Sequence, residues 1–217
     1  MIAVARPTRR FHSSDVLRMF PTFVWRAELR PDICRPLNAS IEQGLAEIGA
    51  PLADLKHGES WQSDHGLHER HQFRGLVDCI NEAIDTVLDY LKAACERAKI
   101  TGCWANVSAP GADHRAHSHP NNYLSGVYYA QVPSGSGRIV FRDPRPQAMV
   151  LVPDARQRNP FNADQHGITP EPGDLILFHS WLTHMVEPNR SKEARISIAF
   201  NVTLRGIVGV ELAGAVF

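Results

Sequence analysis

From residue 100 to residue 204 the chain is a succession of short β-favouring runs broken by turn residues, with no helical periodicity between them. This pattern restricts the fold more than any other feature. A parallel α/β sheet needs a crossover helix between successive strands, whereas short strands joined by Gly/Pro turns lead to a sandwich or jelly roll. The strand runs are Trp104–Val107, Ser125–Ala130, Arg138–Phe141, Ala148–Val152, Asp174–His179 and Arg195–Val202. Pro133-Ser-Gly135-Ser-Gly137, Asp143-Pro144 and Pro170-Glu-Pro172-Gly173 punctuate them.

The first hundred residues read differently. Residues 1–15 form a polar lead-in, and Phe20–Arg26 reads as a strand with Pro21 at its start. Leu37, Ile41, Leu45, Ile48, Leu52 and Leu55 draw one helical stripe, which Pro51 is expected to kink or end at Ala50. A stronger stripe runs through Leu76, Ile80, Ile84, Val87, Leu88, Leu91 and Ala98, predicting a helix from about Phe73 to about Lys99. Its sidedness implies that it covers a sheet. The expected architecture is mainly β with flanking helices. Residues 1–99 supply a strand and a supporting layer, 100–204 the jelly-roll core, and 205–217 an apolar tail that finishes a sheet or closes a homodimer.

Charge narrows the function. Twenty-three Lys plus Arg balance twenty-three Asp plus Glu, so no long-range field is directed at nucleic acid or an acidic membrane. No run reaches the 18 apolar residues of a membrane span, and the N-terminus lacks a signal-peptide apolar region. Four cysteines without a CxxC pair suit a reducing compartment; together these features predict a cytoplasmic protein.

Eleven histidines are more than one site can use. His12, His57, His65, His68, His71 and His166 lie in polar stretches and read as solvated. The three-residue spacing of His65, His68 and His71 would suit a second metal only on a regular helix, which Gly66 opposes. His117 and His119 differ by two, so on a strand both imidazoles face one way and can reach a common cation. His114 is on the opposite parity and is the poorer partner. A third ligand must come from elsewhere: His184 is the first choice, beyond an apolar strand, with His179 as competitor. Arg195 and Ser197 share a strand face, where a planar guanidinium and a hydroxyl suit a carboxylate. Beside a metal-spaced histidine pair, they suggest a diacid with one end on the metal and the other on Arg195.

Taken together, Trp104-Ala-Asn106-Val107, His117-Ser-His119-Pro-Asn121, Leu124-Ser-Gly-Val-Tyr128-Tyr129, Phe141-Arg-Asp143-Pro144, Pro172-Gly-Asp174, Ser180-Trp-Leu-Thr-His184 and Arg195-Ile-Ser197 resemble the 2-oxoglutarate/Fe(II)-dependent oxygenase superfamily, in particular a bacterial and phage family within it. The resemblance covers roughly residues 100–204. It implies a double-stranded β-helix, with His117 as first histidine of a His-x-Asp/Glu pair and His184 as the distal histidine. Arg195 and Ser197 match an Arg-x-Ser pair that binds the distal carboxylate of 2-oxoglutarate, with Asn106 and Tyr128 as helpers. It further implies Fe(II) as cofactor and hydroxylation of a substrate the sequence does not identify, with release of succinate and CO2. Position 119 departs from the superfamily pattern: His119 stands where Asp or Glu is usual. Asn121, Asp113 and Asp143 are the neighbouring alternatives for ligation, and Trp181, Tyr123 and Phe141 are candidates to line the substrate side. Because imidazole also suits other divalent metals, two alternatives stand beside the oxygenase reading. One is a cupin-like three-His dioxygenase that needs no 2-oxoglutarate; the other is a non-catalytic jelly-roll binding protein.

Overall fold

The computed structural model describes residues 12–13, 15–52, 54–208 and 215–216. Two antiparallel sheets form its centre. The larger has six strands in the order β1 (Val24–Glu28), β8 (Asp174–His179), β5 (Leu124–Gln131), β10 (Arg195–Arg205), β3 (Arg97–Ser108) and β2 (Ser60–Gln62). The smaller has the order β4 (His114–His117), β9 (His184–Val186), β6 (Ile139–Arg142) and β7 (Gln165–Ile168). This is the expected jelly roll. A separate ribbon pairs β11 (Ile207–Val208) with β12 (Ala215–Val216). The remainder of the tail, the candidate for a dimer contact, lies outside the described residues, as does most of the N-terminal lead-in.

Alternation along β10 shows how the large sheet divides its labour. Ile196, Ile198, Phe200 and Val202 face the helices and join Ile41, Leu45, Leu76, Ile80 and Ile84 in one continuous core. Arg195 and Ser197, on the opposite parity, turn toward the smaller sheet. A second core of Val127, Tyr129, Ile176 and Phe178 meets Ile139, Phe141 and Leu182 between the sheets. The inter-sheet face is unusual in being both buried and polar: Asn106, Ser108, Ser125, Arg195 and Ser197 are all buried. Sandwich interiors are normally apolar, and buried polar groups require partners.

Both helices cover the large sheet, but their limits differ from expectation. Helix α1 spans Pro31–Glu47, with Pro31 in the first turn, where a missing N–H costs nothing. Gly49, at φ 74°, ends it before Pro51 is reached. Helix α2 spans Arg74–Leu91, shorter than the predicted Phe73–Lys99. Lys92 takes a left-handed conformation at φ 51°, and the apolar positions beyond it belong to the start of β3, where Ile100 continues the alternation. The predicted strand at Ala148–Val152 is absent. A 3-10 turn occupies Pro146–Met149, and Val150 and Leu151 are more than four-fifths exposed. Pro144 and Pro146 break the approach, so an apolar run is left in a loop. Among the described residues no helix is long and apolar enough to cross a membrane, and all four cysteines are free.

Candidate metal centre

Strands β4 and β9 pair so that His117 lies directly opposite His184. His119 lies beyond the end of β4, and its backbone N–H donates to the Ser180 carbonyl at 2.9 Å. The expected same-face strand spacing is therefore not what unites His117 and His119; a turn tied to the β8–β9 loop does. One ligating nitrogen from each of His117, His119 and His184 lies within 4.8 Å of the others. Ring centroids are 4.4 Å apart for His117–His184, 4.9 Å for His117–His119 and 5.2 Å for His119–His184.

Tautomers follow from hydrogen bonding. His117 Nδ1 is 2.8 Å from the Arg115 carbonyl and His184 Nδ1 is 3.0 Å from the Leu182 carbonyl. A carbonyl can only accept, so each Nδ1 carries the proton and each Nε2 presents its lone pair. Burial pushes His119 and His184 down to about 4. Both are thus neutral at pH 7, as coordination requires.

The alternative ligands are elsewhere. The His179 ring stacks on Trp181 at 5.4 Å and lies edge-on to Trp25 and Tyr123. Asp143 is held by Arg145 at 2.6 and 2.9 Å, which lowers its carboxyl pKa, and Asp113 is exposed and outside the triad. Asn121 is an exposed residue in a left-handed turn at φ 65°. His65 precedes the Gly66 bridge, and His68 and His71 lie on two separate 3-10 turns rather than on one helix; no second three-ligand cluster occurs among the described residues. His65 instead stacks on Trp104 at 4.4 Å, and Trp104 in turn lies 5.9 Å from His119.

Arg195 is 1% exposed, yet it forms no ion pair among the described residues. Its Nη1 donates to the Ser136 carbonyl at 2.9 Å, its Nη2 to Ser108 Oγ at 3.2 Å, and its Nε has no partner. Burial lowers its pKa, though arginine stays charged. A desolvated cation held only by neutral acceptors is costly until an anion joins it. Ser197 faces the same way, paired with Asn106 of β3 and with Tyr129 of β5.

Tyr128, expected beside Arg195, is on the opposite face. Its hydroxyl donates to Asn38 Oδ1 of α1 at 2.6 Å. The inward aromatic is Tyr129, whose hydroxyl pKa is raised by burial and opposed by the nearby Arg195 charge. Adjacent tyrosines cannot be assigned to faces without the register, so the sequence alone concealed this. Ser108 could have been found, since it is two residues beyond Asn106 on the same strand. Ser136 contributes a loop carbonyl acceptor, which carries no side-chain signal. Phe141, considered for the substrate side, is buried against Phe178 at 5.0 Å and backs the His184 ring. Trp181 is 54% exposed and remains available at the surface.

Residues 102–201 match the family model described as "Putative 2OG-Fe(II) oxygenase". A prolyl-4-hydroxylase from Pseudomonas putida aligns over 85% of this chain and 89% of its own, with TM-score 0.55 and 19% identity. The non-heme alpha ketoglutarate dependent carbocyclase SnoK from nogalamycin biosynthesis aligns over 83% and 79%, with TM-score 0.61 and 15% identity. HygX from Streptomyces hygroscopicus, solved with nickel and 2-oxoglutarate, aligns over 90% and 91%, with TM-score 0.54 and 12% identity. At these identities the three structures establish likeness of fold. No curated protein matches the chain. Residues 102–201 are thus similar to the family of 2OG-Fe(II) oxygenases, and the rest of the chain shares their fold.

Proposed function

We propose that the protein is a non-haem oxygenase that holds Fe(II) through His117, His119 and His184 and uses 2-oxoglutarate as cosubstrate, its distal carboxylate bound by Arg195 and Ser197. The observation that carries the reading is the pairing of two incomplete sites on one inter-sheet face. Three imidazoles converge, two of them held neutral by burial, and a buried guanidinium lacks a counter-charge among the described residues. A dicarboxylate bearing a 2-oxo group complements both at once.

The donor set fits the metal. Imidazole binds first-row divalent ions well, and three protein ligands leave positions open for a chelating oxoacid and oxygen. When bound, the metal supplies the redox chemistry that couples oxidative decarboxylation of the cosubstrate, yielding succinate and CO2, to oxidation of a second substrate. The chain's own residues do the rest. The Arg115 and Leu182 carbonyls orient two imidazoles, Ser180 anchors the third, and Ser108 and Ser136 aim the guanidinium. Phe141 and Phe178 exclude water behind His184. Asn106 and Tyr129 flank Ser197 and complete the polar wall.

His119 in place of a carboxylate keeps a 2-oxoglutarate-independent three-His dioxygenase as the competing reading. Titration of the Fe(II)-loaded protein with 2-oxoglutarate, in wild type and Arg195→Ala, separates them. The oxygenase reading expects saturable binding that weakens at least about 10-fold in the variant, the loss of a hydrogen-bonded charge pair. It also expects oxygen-dependent release of labelled succinate. Equal affinity in both proteins would reject it.

A further inference from the structure

His114 was set aside on parity, three residues before His117, but the strand pairing reverses that argument. A β-bulge between the two positions places His114 opposite Val186 and His117 opposite His184. Val186 and His184 are two apart on β9 and share a face, so His114 and His117 share it as well. His114 is therefore turned inward. Its Nε2 is buried and has no hydrogen-bond partner, the same condition as Arg195 Nε. Buried unpaired nitrogens are uncommon, and a single acceptor reaching both would satisfy Arg195 Nε–H and, in its Nε2–H tautomer, His114. His114 is outside the three-imidazole cluster, so it is not part of the metal-binding set.

The acceptor can be specified. His114 sits opposite Val186, two residues along β9 from the His184 that faces His117, so it lies beside the triad on the same face of the small sheet. The Arg195 charge acts on it as well, so the guanidinium is also in its neighbourhood. Burial holds it neutral, so it can offer a single N–H without adding charge.

We propose that His114 is a second donor to the distal carboxylate of 2-oxoglutarate, giving its Nε2–H to the group that Arg195 and Ser197 also hold. The proposal rests on the cosubstrate reading above and adds a specificity determinant to it: a 2-oxoacid without a distal carboxylate leaves His114 unsatisfied. Bulge, burial and the orphaned nitrogen carry it together.

The test uses full-length protein loaded with Co(II), whose visible absorption reports ligand binding, titrated with 2-oxoglutarate and separately with pyruvate, which has no distal carboxylate. His114→Leu is expected to weaken 2-oxoglutarate about 10-fold or more while leaving pyruvate unchanged, and His114→Gln, which keeps an N–H near the Nε2 position, to restore most of the loss. If His114→Leu binds 2-oxoglutarate like wild type while Arg195→Ala does not, the nitrogen serves only a water and the proposal fails, with the cosubstrate reading intact. If wild type binds no 2-oxoglutarate, that reading fails and takes the proposal with it. Should the leucine variant not fold, wild-type protein with 15N-labelled histidine and Zn(II) decides. The His114 Nε2–H signal should move on adding 2-oxoglutarate and stay on adding pyruvate; no movement with 2-oxoglutarate, or equal movement with both, overturns the proposal.

Discussion

His117 and His184 face each other across the β4–β9 ladder with ring centroids 4.4 Å apart, each Nδ1 turned to a backbone carbonyl two residues upstream. Strand register thus brings residues remote in sequence together as a pair that could reach one metal ion. Backbone carbonyls, rather than carboxylates, set both tautomers.

Removing any one imidazole should abolish stoichiometric metal retention. His117→Ala, His119→Ala and His184→Ala are each expected to weaken Fe(II) or Zn(II) binding by more than about 100-fold, the upper end of what losing an outer-sphere partner costs. Calorimetric titration checks this. Retention of metal by His119→Ala alone would reduce the site to a pair.

Metal-free protein should lose stability below neutrality. Folded His114, His119 and His184 are held down to about 4 by burial, against about 6.5 for an exposed histidine. Their stabilising contribution is present above pH 6.5, where both folded and unfolded forms are neutral. As pH falls toward 4 only the unfolded chain takes up protons, so stability declines by up to about 1.4 kcal/mol per pH unit for each histidine. Urea midpoints measured from pH 7.5 to 4.5 give the slope, and a flat profile would contradict the buried, neutral cluster.

Tyr128→Phe separates the two faces of the large sheet. It removes the donor to Asn38 Oδ1 and should cost about 1–2 kcal/mol of stability. Affinity for 2-oxoglutarate should not change, because the hydroxyl points to α1. A cosubstrate-binding defect in this variant, measured by the Co(II) titration, would return Tyr128 to the site.

Gly126→Ala tests the packing of β5 on β10. A Cβ at Gly126 would come within 2.8 Å of Phe200 Cε1 and Cε2 and closer still to Cζ. Phe200 is fully buried among helix-facing residues and has no room to retreat. The expected loss is about 1–3 kcal/mol, read as a lower urea midpoint with unchanged slope.

Arg26 and Asp174 join the two edge-proximal strands β1 and β8. Asp174 is fully buried and accepts from Arg26 Nε at 2.9 Å, Arg26 Nη2 at 2.7 Å and the Glu171 N–H at 2.7 Å. Arg26→Met leaves the carboxylate one neighbouring donor and should destabilise by about 1–3 kcal/mol, since it uncovers a buried charge. Thermal melts of Arg26→Met and wild type at pH 7 measure it.

Much of this molecule could be read from one dimension. Gly/Pro turns and the absence of crossover helices specified two antiparallel sheets, and the α2 stripe specified a covering layer. His117, His119 and His184 could be picked out as candidate ligands and do converge, though through a turn rather than the strand spacing, while Arg195 and Ser197 could be picked out as candidates for a carboxylate. Helix ends were less legible: Gly49 and Lys92 stop α1 and α2 by adopting positive φ, a backbone choice that apolar periodicity does not record. The Ala148–Val152 run has strand composition and no strand, because a strand needs a neighbour to pair with and that loop has none.

Which side a residue faces was decided only in three dimensions. Side-chain direction along a strand has period two, so a one-residue irregularity exchanges inside for outside. The bulge in β4 turns His114 inward, and the β5–β10 register puts Tyr129 rather than Tyr128 opposite Ser197. Local composition determines which segments can become strands; hydrogen-bond pairing with distant strands determines which of them do and which of their side chains meet.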